Sequence, residues 1–103
     1  MVNVLIYLKK EDSAKELVKY LLEEKLIASA TIDENNISYK LENNVFSEEV
    51  FSVITAQSKS LLFSEIVKAV EAKIGKDVPI NSTPIVGSNQ IFDDNIRSKT
   101  IPT

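Results

Sequence analysis

Apolar positions at two different spacings divide the first third of the chain into a strand, a helix and a second strand. Residues 2–8 form a short apolar run rich in β-branched residues, which is typical of a strand covered on both faces. Between residues 14 and 26 the apolar positions repeat at helical spacing, behind a capping-box pattern in which Ser13 precedes Glu16. Residues 27–32 then predict the second strand.

The middle of the chain predicts a long hairpin followed by a second helix. Residues 33–36 interrupt the second strand, residues 37–41 are extended again, and residues 42–44 give a turn signal because Asn tolerates positive φ. Residues 45–56 are nearly continuous in apolar character and predict a second central strand. A helix capped by Ser58 or Ser60 follows, and Gly75 stands where a left-handed C-terminal residue belongs.

The last quarter of the chain predicts an edge strand, a short helix and a frayed tail. Residues 79–86 mix apolar and polar side chains, and Pro84 cannot donate to a sheet ladder, so this strand should lie at an edge or carry a bulge. Ser88 or Asn89 can start a last short helix. The tail from Lys99 is expected to fray.

This order of elements predicts an α+β fold, a ferredoxin-like βαββαβ sandwich with a short C-terminal helix. Two interleaved right-handed units give an antiparallel sheet in the order 4-1-3-2 with both helices on one face. We expect residues 1–103 to form a single domain. The opposite face of the sheet carries Leu5, Tyr7 and Phe51, and an uncovered apolar face predicts a partner.

Composition narrows the chemistry of this 103-residue chain. It has no Cys, His or Trp, so it offers no thiolate nucleophile, no Cys or His metal ligand and no histidine base. The net charge of −3 lacks the basic footprint of a nucleic-acid-binding protein. No apolar run reaches about 18 residues, which predicts no membrane-spanning helix. An N-terminus without a signal-like segment predicts a cytoplasmic protein.

Residues 21–32, LLEEKLIASATI, resemble the helix-to-strand junction of the CutA family, which is named for divalent cation tolerance. That family typically has L-x-E-[KR]-L-A-A-C-[AV]-x-I there. Residues 49–55, 78–80 and 84–89 are similar to further stretches of the family, so the resemblance covers residues 2–98. It implies a ferredoxin-like fold similar to PII signalling proteins. It also implies a tight homotrimer in which the hairpin pairs with a neighbouring subunit, divalent cations as ligands, and no catalytic reaction.

The sequence departs from the family pattern at the residues that would bind soft metals. Ser29 stands in place of the family's Cys, and Thr55 in place of the Lys of its third strand. Tyr39 stands for the Tyr of a Tyr-x-Trp-x-Gly element, whose Trp and Gly places hold Lys40 and Glu42. Carboxylate chemistry suited to Mg²⁺, Ca²⁺ or Mn²⁺ is what remains.

Five residues are candidates for a ligand or interface cleft, and the ligands of any metal stay unnamed. These residues are Tyr39, Glu48, Glu49, Thr55 and Asn89. Ordinary interpretations stand beside the functional ones. An exposed strand edge is the more ordinary interpretation of the paired glutamates, as a helix cap is of Asn89, while Tyr39 fits cross-strand packing as well as a cleft. A divalent cation is the one cofactor that the sequence leaves open.

These observations favour a non-enzymatic trimeric CutA-like protein that binds divalent cations or a small ligand at subunit interfaces. The expected partner is the chain itself, with no nucleic acid and no membrane. The alternative is an RNA-recognition-type module on the same fold, with Tyr7 and Phe51 as stacking residues, although the acidic balance disfavours it. An acylphosphatase-like hydrolase needs a phosphate-cradling loop with Arg, and residues 9–13 contain neither Gly nor Arg.

Overall fold

A computed structural model describes residues 1–103 and contains the strands and helices in the predicted order. The elements are β1 Val2–Lys9, α1 Ala14–Glu23, β2 Ser29–Glu42, β3 Val45–Ser58, α2 Phe63–Lys73, β4 Ile80–Pro84 and α3 Gln90–Lys99. The strands form one sheet in the order β2-β3-β1-β4, and every neighbouring pair is antiparallel. Counted from the other edge, this is the order 4-1-3-2, so the predicted ferredoxin-like topology is confirmed.

The core lies between helices α1 and α2 and the face of the sheet that they cover, which we call the helix-side face. In β1 every second residue, from Val2 to Leu8, is buried, and the residues between them are partly exposed. Ile54 of β3 pairs with Ile6 and is also fully buried. The helices contribute the other half of the core, which includes Leu17, Leu21, Ile66 and Val70. The opposite side of the sheet, the open face, is covered by neither α1 nor α2.

A β-bulge absorbs one extra residue in β2, so that the apolar residues before and after it lie on the same side of the sheet. Asp33 lies opposite Val53 and Asn36 lies opposite Phe51, so three steps along β2 match two along β3. The Asp33 carboxylate accepts hydrogen bonds from the backbone N–H of Asn35 and from the side-chain amide of Asn36, at 3.3 and 3.1 Å. The predicted interruption at residues 33–36 is therefore a bulge inside one continuous strand.

The hairpin formed by β2 and β3 extends beyond the rest of the sheet. β1 ends opposite Phe51, so residues 45–50 of β3 have no strand beside them on that side. At about 3.3 Å per residue, this stretch carries the hairpin about 20 Å past the end of β1. Asn43 and Asn44 close it with φ values of 51° and 64°, the positive values that a two-residue hairpin loop requires. The predicted turn is confirmed.

The start of the second helix differs from the sequence prediction. Ser58 is the last residue of β3, fully buried, and its Oγ donates to the carbonyl of Leu26 at 2.5 Å. Ser60 opens a 3₁₀ turn, Ser60–Leu62, which leads into α2 without a side-chain cap. The prediction that one of these serines caps the helix is wrong, because the serine pattern does not distinguish a cap from a buried hydrogen-bond donor.

The C-terminal tail is held rather than frayed. Thr100 is buried, and its Oγ1 donates to the carbonyl of Ile96 at 2.6 Å. The backbone N–H of Ile101 donates to the carbonyl of Lys25 at 2.9 Å, and the Ile101 carbonyl accepts from Lys59 Nζ at 2.8 Å. The tail therefore joins the end of α1 to the end of β3, a contact between distant segments that local composition does not reveal.

Replacing Ser58 by Ala tests the buried hydrogen bond to Leu26. We expect Ser58→Ala to lower the free energy of unfolding by about 1–2 kcal/mol, since a buried carbonyl loses its donor. Urea unfolding at one fixed protein concentration measures the change. Ser60→Ala is the matched control, because Ser60 is exposed, and its effect should stay within about 0.5 kcal/mol. Equal effects of the two substitutions would contradict this account of Ser58.

Candidate functional site

A cavity opens at the end of the sheet where two loops and the base of the hairpin meet. The β1–α1 loop, the α2–β4 loop and the base of the hairpin surround it, and its volume is about 350 Å³. That volume lies within the range of small-molecule pockets. We call it the strand-end cavity. The side chains that give it chemical character are Tyr7, Phe51, Lys9, Lys40, Glu11, Asp12, Glu49 and Asp77.

Two aromatic rings form the apolar part of the strand-end cavity. Tyr7 of β1 and Phe51 of β3 lie on the open face, because their neighbours along each strand alternate to the other side. Their ring centroids are 6.1 Å apart and their planes meet at 88°, which is an edge-to-face contact. The backbone N–H of Tyr7 donates to the Pro79 carbonyl at 3.0 Å and so ties the α2–β4 loop to β1.

The charges around the cavity are unequal, with four carboxylates and two ammonium groups. Lys40 Nζ lies 2.8 Å from a carboxylate oxygen of Glu42 but 3.9 Å from that of Glu49. The hydrogen bond that Lys40 donates to the Glu42 carboxylate is the main cause that raises the pKa of Lys40 above its usual value. Glu11, Asp12 and Asp77 form no ion pair in the structure. The cavity therefore carries an excess of negative charge.

The structure does not bring the five predicted site residues together. Glu49 is the one that lines the strand-end cavity. Glu48 lies opposite Tyr39 further out on the hairpin, and it faces the other side of the sheet because adjacent strand residues alternate. Thr55 lies on the open face in the middle of the sheet, and Asn89 caps α3 with its Oδ1, which accepts the N–H of Phe92 at 3.1 Å. Their functional roles stay predictions.

Ser29, at the place of the family's Cys, begins a row of hydrogen bonds across the open face. Its Oγ donates to Gln57 Oε1 at 2.7 Å, and Gln57 Nε2 donates to Asn3 Oδ1 at 2.9 Å. The three residues lie on three neighbouring strands and are partly buried. This row satisfies polar groups of three strands with one another.

Sequence reasoning missed the carboxylates of the cavity. Tyr7 and Phe51 stood out as exposed aromatics, but Glu11, Asp12 and Asp77 lie in loops that are far apart in the sequence. One signal was available: in a sheet of order 4-1-3-2, the loop after the first strand and the loop before the fourth meet at the same end. Acidic residues in both loops are therefore neighbours.

A metal centre is not preassembled within one chain. The structure contains no group of three or more Asp or Glu side chains close enough to hold one ion. The four carboxylates of the strand-end cavity are spread around its wall instead of converging on a point.

None of the helices has the length and apolarity needed to cross a bilayer.

The projecting hairpin carries a second feature, a row of exposed apolar side chains on its helix-side face. We call it the apolar hairpin face, and it consists of Ile37, Tyr39, Leu41, Phe46 and Val50, which are between 38% and 69% exposed. The Tyr39 and Phe46 rings stack at 5.7 Å with planes 15° apart. The helices that cover this side of the sheet elsewhere do not cover these residues.

Known proteins share this fold, and a family model matches the sequence. A model of the CutA1 divalent ion tolerance protein family matches residues 2–99. A search of curated proteins found no match. Three solved structures show the range of likeness, and all of them are less than 25% identical to this chain, so they show the fold alone.

The first of these structures is the divalent cation tolerance protein Cut A1 from Thermus thermophilus, with 24% identity, a TM-score of 0.85, and coverage of 97% of this chain and 99% of that one. CutA1 from Oryza sativa has 16% identity and a TM-score of 0.89, with 99% and 94% covered. The periplasmic divalent cation tolerance protein CutA from Archaeoglobus fulgidus has 23% identity and a TM-score of 0.80, with 96% and 98% covered.

The family match spans nearly the whole chain, and the sheet order, the long hairpin and the C-terminal helix agree with it. The resemblance seen in the sequence is confirmed. The chain belongs to the CutA1 divalent ion tolerance family.

Proposed function

We propose that this chain is a non-enzymatic homotrimeric protein of divalent-ion tolerance, which holds a divalent cation or a small ligand between subunits. The family match over residues 2–99 is the observation that carries this function. The CutA1 family is not a known enzyme family.

The apolar hairpin face supports assembly. Exposed apolar patches of this kind are typical of protein–protein contacts in soluble proteins. The stretch of β3 at residues 45–50 also presents unpaired backbone N–H and C=O groups, which in a sheet edge invite pairing with another chain. A second copy of this chain covers both features at once, and burial between copies adds to the small core of a 103-residue chain.

Threefold symmetry also determines what the hairpin contacts. In a ring of identical copies every contact is heterologous, so the apolar hairpin face meets a different surface of its neighbour. The segment from the end of β4 to the first turn of α3 offers one, since Val86 in the connection is 99% exposed and Ile91 in α3 is 77% exposed. We propose that the hairpin of one copy packs near this connection on the next.

One chain has no preassembled group of metal ligands, which favours a cation site between subunits. A single chain has no convergent group of three carboxylates, and without Cys or His its only soft ligand is the Met1 thioether. Glu48 and Glu49 face opposite sides of β3, so they cannot chelate one ion together within a chain. A carboxylate site for Mg²⁺, Mn²⁺ or Ca²⁺ therefore needs oxygens from more than one copy.

A cytoplasmic location remains part of the proposal, although the relative from Archaeoglobus fulgidus is described as periplasmic. No observation favours the RNA-recognition alternative. Tyr7 and Phe51 do lie on the open face, but the carboxylates beside them repel a phosphate backbone.

Light scattering measures the assembly directly. We expect the wild-type chain to have about three times the 11.5 kDa of one chain at micromolar concentration. Leu41→Glu places a charge in the apolar hairpin face and should lower the mass at the same concentration. Leu61→Glu is the matched control, because Leu61 is an equally exposed leucine outside the hairpin, and it should leave the trimer intact. A monomeric wild-type chain would refute the proposed assembly.

Calorimetric titration separates hard from soft cations. We expect Mn²⁺ to bind the trimer more tightly than Cu⁺, because the chain has many carboxylates but only one soft ligand, the Met1 thioether. The double substitution Glu48→Gln with Glu49→Gln should weaken Mn²⁺ binding about tenfold or more, as charged oxygen ligands are lost. Glu65→Gln on α2 is the control and should leave the affinity unchanged. Tight Cu⁺ binding, or an Mn²⁺ affinity that the double substitution leaves unchanged, would overturn the cation part of the proposal.

A further inference from the structure

The strand-end cavity combines two features that point to one class of ligand. It has two aromatic rings on its wall and an excess of carboxylates around them. We infer that it binds a small organic polyamine, a molecule with ammonium groups on an aliphatic chain. This inference concerns a site within one chain, so it does not depend on a cation held between subunits.

The aromatic rings account for attraction to an ammonium group. An aromatic ring has a negative face, and a cation placed within about 6 Å of its centre is attracted to it. Tyr7 and Phe51 meet at 88°, so their ring planes form a corner at the wall of the cavity. A methylene chain next to an ammonium group can pack against the same rings, since Tyr7 and Phe51 are only partly buried.

The carboxylates of the cavity account for the sign and the number of charges on the proposed ligand. Four carboxylates and two ammonium groups line the cavity, which leaves an excess of two negative charges that a diamine would neutralise. Glu11, Asp12 and Asp77 have no ion-pair partner. Glu49 is only loosely held by Lys40, because 3.9 Å exceeds hydrogen-bond distance, so its oxygens can accept from a ligand.

Other ligand classes fit this cavity less well. A bare metal ion needs ligands that converge, and no three carboxylates of the chain do so. A phosphate or another anion meets the excess of negative charge. A neutral apolar molecule covers the rings but leaves the carboxylates without a partner. An extended cation, whose charges are separated by methylene groups, matches carboxylates that are distributed around the wall.

Putrescine is the probe, and isothermal titration calorimetry at low salt is the measurement. The titration is run in the absence and in the presence of excess Mg²⁺, which occupies any cation site between subunits and screens general attraction to an acidic protein. Diacetylated putrescine keeps the chain but lacks both charges. We expect putrescine to bind with one site per chain in both conditions and more tightly than its diacetylated form. Absence of binding, loss of binding in the presence of Mg²⁺, or equal binding of the diacetylated form would overturn the inference.

Three single variants then locate the site. Tyr7→Leu keeps the apolar volume but removes the ring and should weaken putrescine binding about five- to tenfold. Asp77→Asn should weaken it by a similar factor, since it removes one carboxylate of the wall. Glu71→Gln removes the same charge from an exposed position on α2 that lines none of the described cavities, and we expect less than about a twofold effect.

Phe51→Leu provides a second test of the rings if Tyr7→Leu does not fold. Equal weakening by Glu71→Gln and Asp77→Asn would mean that putrescine responds only to net charge, and the inference would then be wrong. Chemical-shift changes of the Tyr7 ring on addition of putrescine, with no change of the Tyr20 ring, would locate the ligand at the strand-end cavity. The reverse pattern would place it elsewhere and would also refute the inference.

Discussion

The unequal length of two paired strands is the constraint on which this molecule depends. β1 is eight residues long and β3 is fourteen, although they are neighbours in the sheet. Where β1 is present, its inward side chains complete a core with the two helices. Beyond the end of β1, β3 continues with β2 alone. The helix-side face of the hairpin is therefore not covered by a core.

Both candidate surfaces arise at the point where β1 ends. The apolar hairpin face is the continuation of the core-facing side of β2 and β3 into a region without helices. The strand-end cavity occupies the corner that β1 vacates, between the turn after Lys9 and the loop before Pro79. Assembly and ligand binding are thus neighbouring consequences of one topological fact, and Lys40 and Glu49 belong to the cavity and the hairpin alike.

Local patterns predicted the elements that depend on local physics. The alternation in β1, the capping box at Ser13, whose Oγ accepts the N–H of Glu16, and the Asn43–Asn44 turn are all visible in a few consecutive residues. The sheet order followed from the handedness of the two interleaved units. Features that join distant segments were missed, since no short window contains both partners. The hydrogen bond that holds the tail at Lys25 is one example, and the presence of Asp77 and Glu11 in the wall of one cavity is another.

The bulge at Asp33 and Asn36 also bears on how this family can change its sequence length. Because the bulge already absorbs one extra residue of β2, deletion of one residue between Asp33 and Asn36 would restore regular pairing and leave Ile37, Tyr39 and Leu41 on their present side. The same deletion in a regular part of the strand would turn every later side chain to the opposite side. A relative that loses one residue from this strand should therefore lose it at the bulge, where the pairing with β3 tolerates the change.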